Sequence, residues 1–278
     1  MGAHVEVMDL VARMKAAEEA FVLATVVRTV SVTAAKAGAK AIIRPDGTIV
    51  AGWIGGGCAK GAVLKAAREA LIDGEPRMVS VQPEDLLAEL AVKAGEMRGG
   101  VRFASNMCPS KGTMDIFVEP VLPHPSLVIL GASPVALSLA TQARTLGYHV
   151  TLAAPVADVT AEPDADAVVD GFVPRCLNEA RRFVVVSTQG KGDEAALKSA
   201  VAIDAAYHAF VGSRRKMDSL RAKLIADGMD AAAIDRVKAP AGLDLGAITP
   251  EEIAMSILAE ITRERRYGQR NTNSQSRS

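Results

Sequence analysis

Three glycines and a thiol, Gly55-Gly56-Gly57-Cys58, stand directly before a stretch with helical apolar spacing. Glycine lets backbone N–H groups come close to a ligand, and the positive end of the following helix points at the same place, so the segment could cradle an anion. A thiol at a helix start has its thiolate form favoured, and Lys60 reinforces this if it faces the same way. Cys58 is therefore a candidate ligand or nucleophile. The same residues also suit a plain tight turn with Cys58 as a small buried apolar side chain, and both readings stay open.

Cys108 sits in Ser105-Asn106-Met107-Cys108-Pro109-Ser110-Lys111-Gly112, a run of turn formers. Two loop cysteines, each near a lysine (Lys60, Lys111), could share one pocket. Cys176, after Pro174-Arg175, reads as a packing or surface thiol. Gly131-Ala132-Ser133-Pro134-Val135-Ala136 lies between a strand and a helix and is similar to the dinucleotide fingerprint G-x-G-x-x-A. Ser133 replaces its middle glycine, and the next strand ends Leu152-Ala153-Ala154-Pro155 without the acid that would hold a ribose, with Asp158 lying beyond the proline. NAD(P) is not expected to bind there.

Gly212-Ser213-Arg214-Arg215-Lys216 follows a predicted strand, at the end where open α/β sheets place ligands. Ser213 can cap the next helix while Arg214, Arg215 or Lys216 contacts phosphate; a solvated basic turn is the alternative. Gly242-Leu243-Asp244-Leu245-Gly246 is a glycine-flanked loop with one carboxylate, Asp244. The four histidines lack metal-ligand spacing, and no metal site is expected.

The elements that must hold these residues follow from periodicity. Residues 5–20 have helical spacing, and 20–28 (AFVLATVVR) read as a buried strand. Strands at 40–44 and 48–50 flank Pro45-Asp46-Gly47 as a hairpin. A helix at 60–72 stops at Asp73-Gly74-Glu75-Pro76, a strand follows at 78–81 and a helix at 84–94, and 95–100 is left open. After a strand at 113–118, the stretch 119–126 holds Pro120, Pro123 and Pro125, which do not suit a central strand. The boundaries read as an N-terminal domain over 1–120, a proline-rich linker over 121–126, a second domain over 127–266, and a disordered polar tail over 267–278. In the second domain, strands at 127–130, 149–153, 183–187 and 208–211 alternate with helices at 135–146 and 193–206, which argues for a parallel sheet. Thr249-Pro250-Glu251-Glu252 looks like a capped start to a helix at 251–265. The fold class is α/β: an N-terminal α+β domain followed by a Rossmann-like parallel-sheet domain.

Composition bounds the function. With 278 residues and 32 basic against 32 acidic side chains, there is no global field to attract nucleic acid or an acidic membrane. Aromatic residues are only 4%, too few for a base-stacking platform. No segment approaches the roughly 20 apolar residues that span a bilayer, and the start lacks a secretory pattern. Three cysteines without a CxxC pair argue against a disulfide framework and for a cytoplasmic setting.

Taken in order, Val26-Val27-Arg28-Thr29, Gly38-Ala39-Lys40, Ile54-Gly55-Gly56-Gly57-Cys58, Cys108, Phe117-Val118-Glu119-Pro120, Val128-Ile129-Leu130-Gly131-Ala132, Gly212-Ser213-Arg214-Arg215-Lys216 and the segments at 242–246 and 249–254 resemble the XdhC/CoxI family of accessory proteins for xanthine dehydrogenase and carbon monoxide dehydrogenase. The resemblance implies a chaperone, not expected to catalyse a step itself, that binds molybdenum cofactor (molybdopterin), supports its sulfuration with a cysteine desulfurase and delivers it to the apo form of a molybdenum hydroxylase. It implies Cys58 and Cys108 as cofactor-site cysteines, adds Lys40 to the candidate ligands, and leaves a homodimer open. An NAD(P)-dependent oxidoreductase and a cofactor-free assembly scaffold are the competing readings. The chain departs from the family pattern at Lys60, where an acidic residue is common, and at Thr33-Ala34-Ala35, where a proline-arginine pair is common.

Overall fold

The computed structural model describes residues 6–107, 111–174 and 181–275, with side chains up to 266. The chain divides into two compact units, Met1–Pro123 and His124–Ser278.

The first unit runs α1 (Val7–Ala16), β1 (Phe21–Val30), β2 (Lys40–Ile43), β3 (Ile49–Gly52), α2 (Gly57–Asp73), β4 (Arg77–Gln82), α3 (Glu84–Glu89), β5 (Met97–Arg98), β6 (Val101–Ser105) and β7 (Thr113–Val121). These strands make one sheet in the order β3-β2-β1-β7-β4-β6-β5. The β4–β6 pair is parallel and the rest antiparallel. Alternation along β1 sends Val22, Ala24 and Val26 to one face, where they meet Ile116, Val118, Val79 and Val81 and the buried side of α2. That side is Ala59, Val63, Ala66, Ala67 and Ala70, a mostly alanine stripe that lets the helix lie close to the sheet. Phe21 and Ile42 face the other way, under Val11 and Met14 of α1. Helix α2 ends where Gly74 takes a left-handed conformation and donates its N–H to the Ala70 carbonyl at 2.8 Å.

Three details differ from expectation. Strand β7 continues through Pro120, which pairs with Val22. This is tolerated because β4 stops pairing at Val118, so beyond that point β7 is an edge strand on one side. Helix α3 stops at Glu89 rather than near 94, because Ala91 turns left-handed (φ +50°) and Val92 N–H returns to the Leu87 carbonyl. Residues 97–105, whose first part carries no clear periodicity, form the β5–β6 hairpin.

The second unit contains β8 (Ser126–Leu130), α4 (Pro134–Thr145), β9 (His149–Ala154), β10 (Ala167–Asp170), β11 (Arg182–Val186), α5 (Asp193–Ala202), β12 (Tyr207–Phe210), α6 (Arg214–Ala226), α7 (Ala231–Asp235), β13 (Val237–Lys238) and α8 (Pro250–Gln275). Its six strands are all parallel, in the order β10-β9-β8-β11-β12-β13. Chain direction across the sheet reverses between β8 and β11, which creates a crevice at their carboxyl ends. The central strands are apolar on both faces because helices cover both. Residues of α4 and α8 pack with Leu127, Ile129, Phe183 and Val185 on one side, and those of α5, α6 and α7 with Val128, Leu130, Val184 and Val186 on the other.

Helix α8 starts with the expected capping box. The Glu252 carboxylate accepts the Ile248 and Thr249 N–H groups at 2.8 and 3.0 Å, and Glu252 N–H donates to Thr249 Oγ1 at 3.3 Å. Those backbone bonds hold the Glu252 carboxyl below its usual range. The helix continues to Gln275, past the predicted end at 265 and through most of the tail expected to be disordered; no proline interrupts it after Pro250. Further along its buried face, Glu260 is fully enclosed. It accepts the Tyr207 O–H at 2.6 Å, the Gly242 N–H at 3.0 Å, an Arg263 N–H at 3.0 Å and the Lys238 ammonium. Among the described residues no helix is long and apolar enough to cross a membrane.

Candidate functional site

The glycine segment of the first unit is shaped by two positions that only glycine suits. Gly52 (φ +75°), the last residue of β3, lies so close to the start of β2 that a Cβ there would be 1.9 Å from the Lys40 carbonyl oxygen. That carbonyl accepts the Trp53 N–H at 2.9 Å. Gly55 (φ +116°) packs against Met114, with a Cβ position 3.0 Å from its Cε. The next two glycines differ, because a Cβ at Gly56 or Gly57 would meet nothing. Gly56 is the residue before the helix, it supplies no side-chain cap, and the first turn of α2 holds no acidic residue. The N–H groups of that turn therefore face an open mouth with Gly56 and Gly57 exposed, and Cys58 sits half-buried one residue inside it. Lys60 is exposed in the same turn. An anion cradle is physically available here.

Cys108 and Cys176 lie outside the described residues, but both flanks of the Cys108 loop are placed. Asn106 N–H donates to the Gln82 carbonyl at 2.7 Å, and its side-chain amide donates to the Gly112 carbonyl at 2.6 Å. Lys111 forms a bridge with Val32, and Met114, two residues beyond Gly112, carries the side chain packed on Gly55. The strand that leaves this segment thus starts beside Val32 and Thr33 and touches the glycine segment only at Gly55, through Met114. Lys40, on β2, directs its ammonium to Thr25 Oγ1 at 3.1 Å. A polar chain that the sequence reading missed crosses three strands. Arg28 donates to Asp115 at 2.6 Å, Ser80 Oγ to the other Asp115 oxygen at 2.6 Å, and Gln82 to Ser80 at 2.8 Å. Its signal was period-two alternation of these residues with Val79, Val81, Met114 and Ile116.

In the second unit, Gly131 (φ +121°) brings the end of β8 against the end of β11, and a Cβ there would lie 2.3 Å from the Ser187 carbonyl oxygen. Ser133 caps α4, its Oγ accepting the Ala136 N–H at 3.1 Å and lying 2.7 Å from Ser187 Oγ. Ser133→Ala removes the cap and leaves buried Ser187 without that partner; a loss of about 1–2 kcal/mol is expected in urea unfolding. Asp158, read as lying beyond the proline, is carried back by a single 3₁₀ turn. It lines the crevice with Ala132, Phe172, Thr188, Gln189 and Lys191, and pairs with Lys191 at 3.2 Å. Lys191 was not anticipated; its signal was a Gly-Lys-Gly run just past the end of a strand.

The basic turn divides its roles. Ser213 caps α6, accepting the Lys216 N–H at 3.2 Å. Lys216 is engaged, with its ammonium 2.7 Å from the buried Asp193 carboxylate and over the Phe210 ring. Arg214 and Arg215 stand exposed on the first turn. Asp244 is exposed in its loop, whose start is tied to the carboxyl end of β12 by Ala241 N–H donating to Phe210. Gly242 has a packing role, since a Cβ there would lie 2.3 Å from Ser256 Oγ. Among the described residues no three His, Cys, Asp or Glu side chains cluster as metal ligands would.

Both units match models of one family: residues 14–82 match the XdhC and CoxI family, and residues 127–261 the XdhC Rossmann domain. The chain belongs to the XdhC and CoxI family. Among relatives of this XdhC-type chain, the uncharacterized protein YqeB of Escherichia coli (strain K12) is 30% identical over 236 residues, 80% of this chain and 40% of YqeB. A probable xanthine dehydrogenase subunit from Bacillus subtilis (strain 168) is 27% identical over 162 residues, 55% of this chain and 47% of that protein. The XdhC-type chain thus spans less than half the length of these curated relatives. A crystal structure of a xanthine dehydrogenase from Bacillus halodurans aligns over 94% of this chain and 96% of that one, at 20% identity and a TM-score of 0.45. The glycine mouth lies in the stretch matched to XdhC and CoxI, and the crevice in the XdhC Rossmann domain.

Proposed function

We propose that this protein is an accessory factor of a xanthine dehydrogenase-type molybdenum hydroxylase, holding molybdenum cofactor as cargo during its sulfuration by a cysteine desulfurase and passing it to the apo-hydroxylase. The observation that carries this reading is the open, uncapped start of α2, where Gly56 and Gly57 leave free space beside the half-buried Cys58. Family membership and the likeness to the Bacillus subtilis xanthine dehydrogenase relative support it.

The donor set suits such a cargo. The helix start offers N–H groups and a positive end to the pterin phosphate, Lys60 adds a cation nearby, and the Cys58 thiol offers a soft ligand of the kind that suits metal–sulfur chemistry. The bound cofactor supplies the redox-active molybdenum centre to the client enzyme; this chain's residues grip the phosphate and present sulfur.

The test loads the full chain with molybdenum cofactor, metal included, and measures the pterin retained after gel filtration by its fluorescent oxidation product. Cys58→Ala and Cys108→Ala are each expected to lower retention about tenfold, the scale of losing one charge-assisted contact. Full retention in both variants overturns the assignment.

A further inference from the structure

We propose that the crevice at the carboxyl ends of β8, β9, β10 and β11 binds a nucleoside monophosphate, ribose on Asp158 and phosphate on Lys191, and does not bind a dinucleotide. A dinucleotide needs its pyrophosphate at the start of α4. That place is filled by the protein itself, because the buried Ser133 hydroxyl takes the Ala136 N–H and lies 2.7 Å from Ser187 Oγ.

What remains is a shallow space of about 30 Å³ lined by loops following four neighbouring strands, room for about two waters as it stands. Its two charged lining residues face each other, Asp158 on the turn after β9 and Lys191 on the loop after β11, 3.2 Å apart. Lys191 is 66% exposed and Asp158 26%, and a pair with one end this open to solvent holds weakly. A ribose diol can donate to the carboxylate and a phosphate can take the ammonium, so one ligand satisfies both groups as it separates them. The loop can yield, because Lys191 stands between Gly190 and Gly192, both at positive φ.

The same loop presents Gln189 in a left-handed conformation (φ +54°) into the crevice. Positive φ in a non-glycine residue is uncommon, and Gln189 carries an amide that can both donate and accept, as a base edge requires. Val173, next in the chain to the lining residue Phe172, and Val156, two residues before Asp158, are 78% and 67% exposed. They offer apolar surface for a ring.

Titration calorimetry of the full chain with AMP, GMP, CMP and UMP tests the proposal. At least one is expected to bind saturably at a single site, with its 2′-deoxy analogue about tenfold weaker. Asp158→Asn should weaken the nucleotide about tenfold and abolish the difference from the deoxy form, and Lys191→Ala should bring nucleotide down to the affinity of the nucleoside. Both side chains are at the surface, so unchanged circular dichroism melts are expected to accompany these losses. The proposal is overturned if none of the four binds, if both variants bind like the parent, or if NAD⁺ binds more tightly than AMP.

Discussion

Glu260→Ala should destabilise the protein by about 2–3 kcal/mol, read as a lower urea midpoint, because the buried Tyr207 O–H and Gly242 N–H lose their acceptor, while Lys238 and Arg263, 42% and 45% exposed, can turn to solvent. Glu260 is fully buried and accepts from Tyr207, Gly242, Arg263 and Lys238 at once. Its removal frees donors from β12, β13, the 242 loop and α8 together. Burial by itself would raise the Glu260 carboxyl, but hydrogen bonds from Lys238 and Tyr207, with the Lys238 charge, bring it below its usual range. The stabilisation is therefore present above the unfolded value of about 4.3 and is lost as pH falls through the depressed folded value. Tyr207 is shifted the other way, upward, first by burial and then by its bond to Glu260. Its contribution is intact below the ordinary tyrosine value of about 10 and declines above it. Urea midpoints measured against pH should fall at both ends, and Glu260→Ala should remove its own share of the acid slope and lessen the alkaline one, since burial still acts on Tyr207. Unchanged slopes would show that the cluster contributes nothing to this dependence.

Gly131→Ala is expected to cost about 2–5 kcal/mol, combining left-handed backbone strain with overpacking. The added methyl would sit 2.3 Å from the Ser187 oxygen, 2.6 Å from its carbonyl carbon and 2.9 Å from Thr188 Cα, all of them backbone atoms just past β11 that cannot move without shifting the sheet. Gly57→Ala is the matched comparison. It meets open space and should change stability by less than about 1 kcal/mol. Thermal melts of the two variants side by side separate a glycine demanded by packing from one that leaves room for a ligand. Similar losses in both would remove the distinction.

Much of this was legible in the residues. A run rich in β-branched residues marks β1, a continuous apolar run marks β8, turn residues mark the β2–β3 hairpin, and Thr249-Pro250-Glu251-Glu252 marks the start of α8. The XdhC/CoxI resemblance and the α/β class stand with the family matches. The short elements were not legible. Strand β10 is four residues and β13 only two, so neither contains enough alternation to register, and both exist because a neighbouring strand supplies the pairing. Pro120 is not legible as a strand residue, because its place in β7 depends on β4 stopping short of it. In the candidate sites, Gly55 to Cys58 stood out as a contiguous run, whereas Asp158 and Lys191 meet across 33 residues. Their pairing depends on the turn at Val156–Asp158, which local spacing does not reveal. Lys216 illustrates the opposite error, a cation that looked available and is bound to Asp193.

The rims of the parallel sheet bear on how the protein behaves in a crowded solution. At one rim β13 extends only two residues, too few rungs to recruit a foreign strand. At the other, β10 is framed by Asp166 and Asp170, whose carboxylates accept the Val150 and Val156 N–H groups at 2.8 and 3.0 Å. An incoming strand would find a border barely four residues long, so edge-to-edge polymerisation finds little purchase on either side.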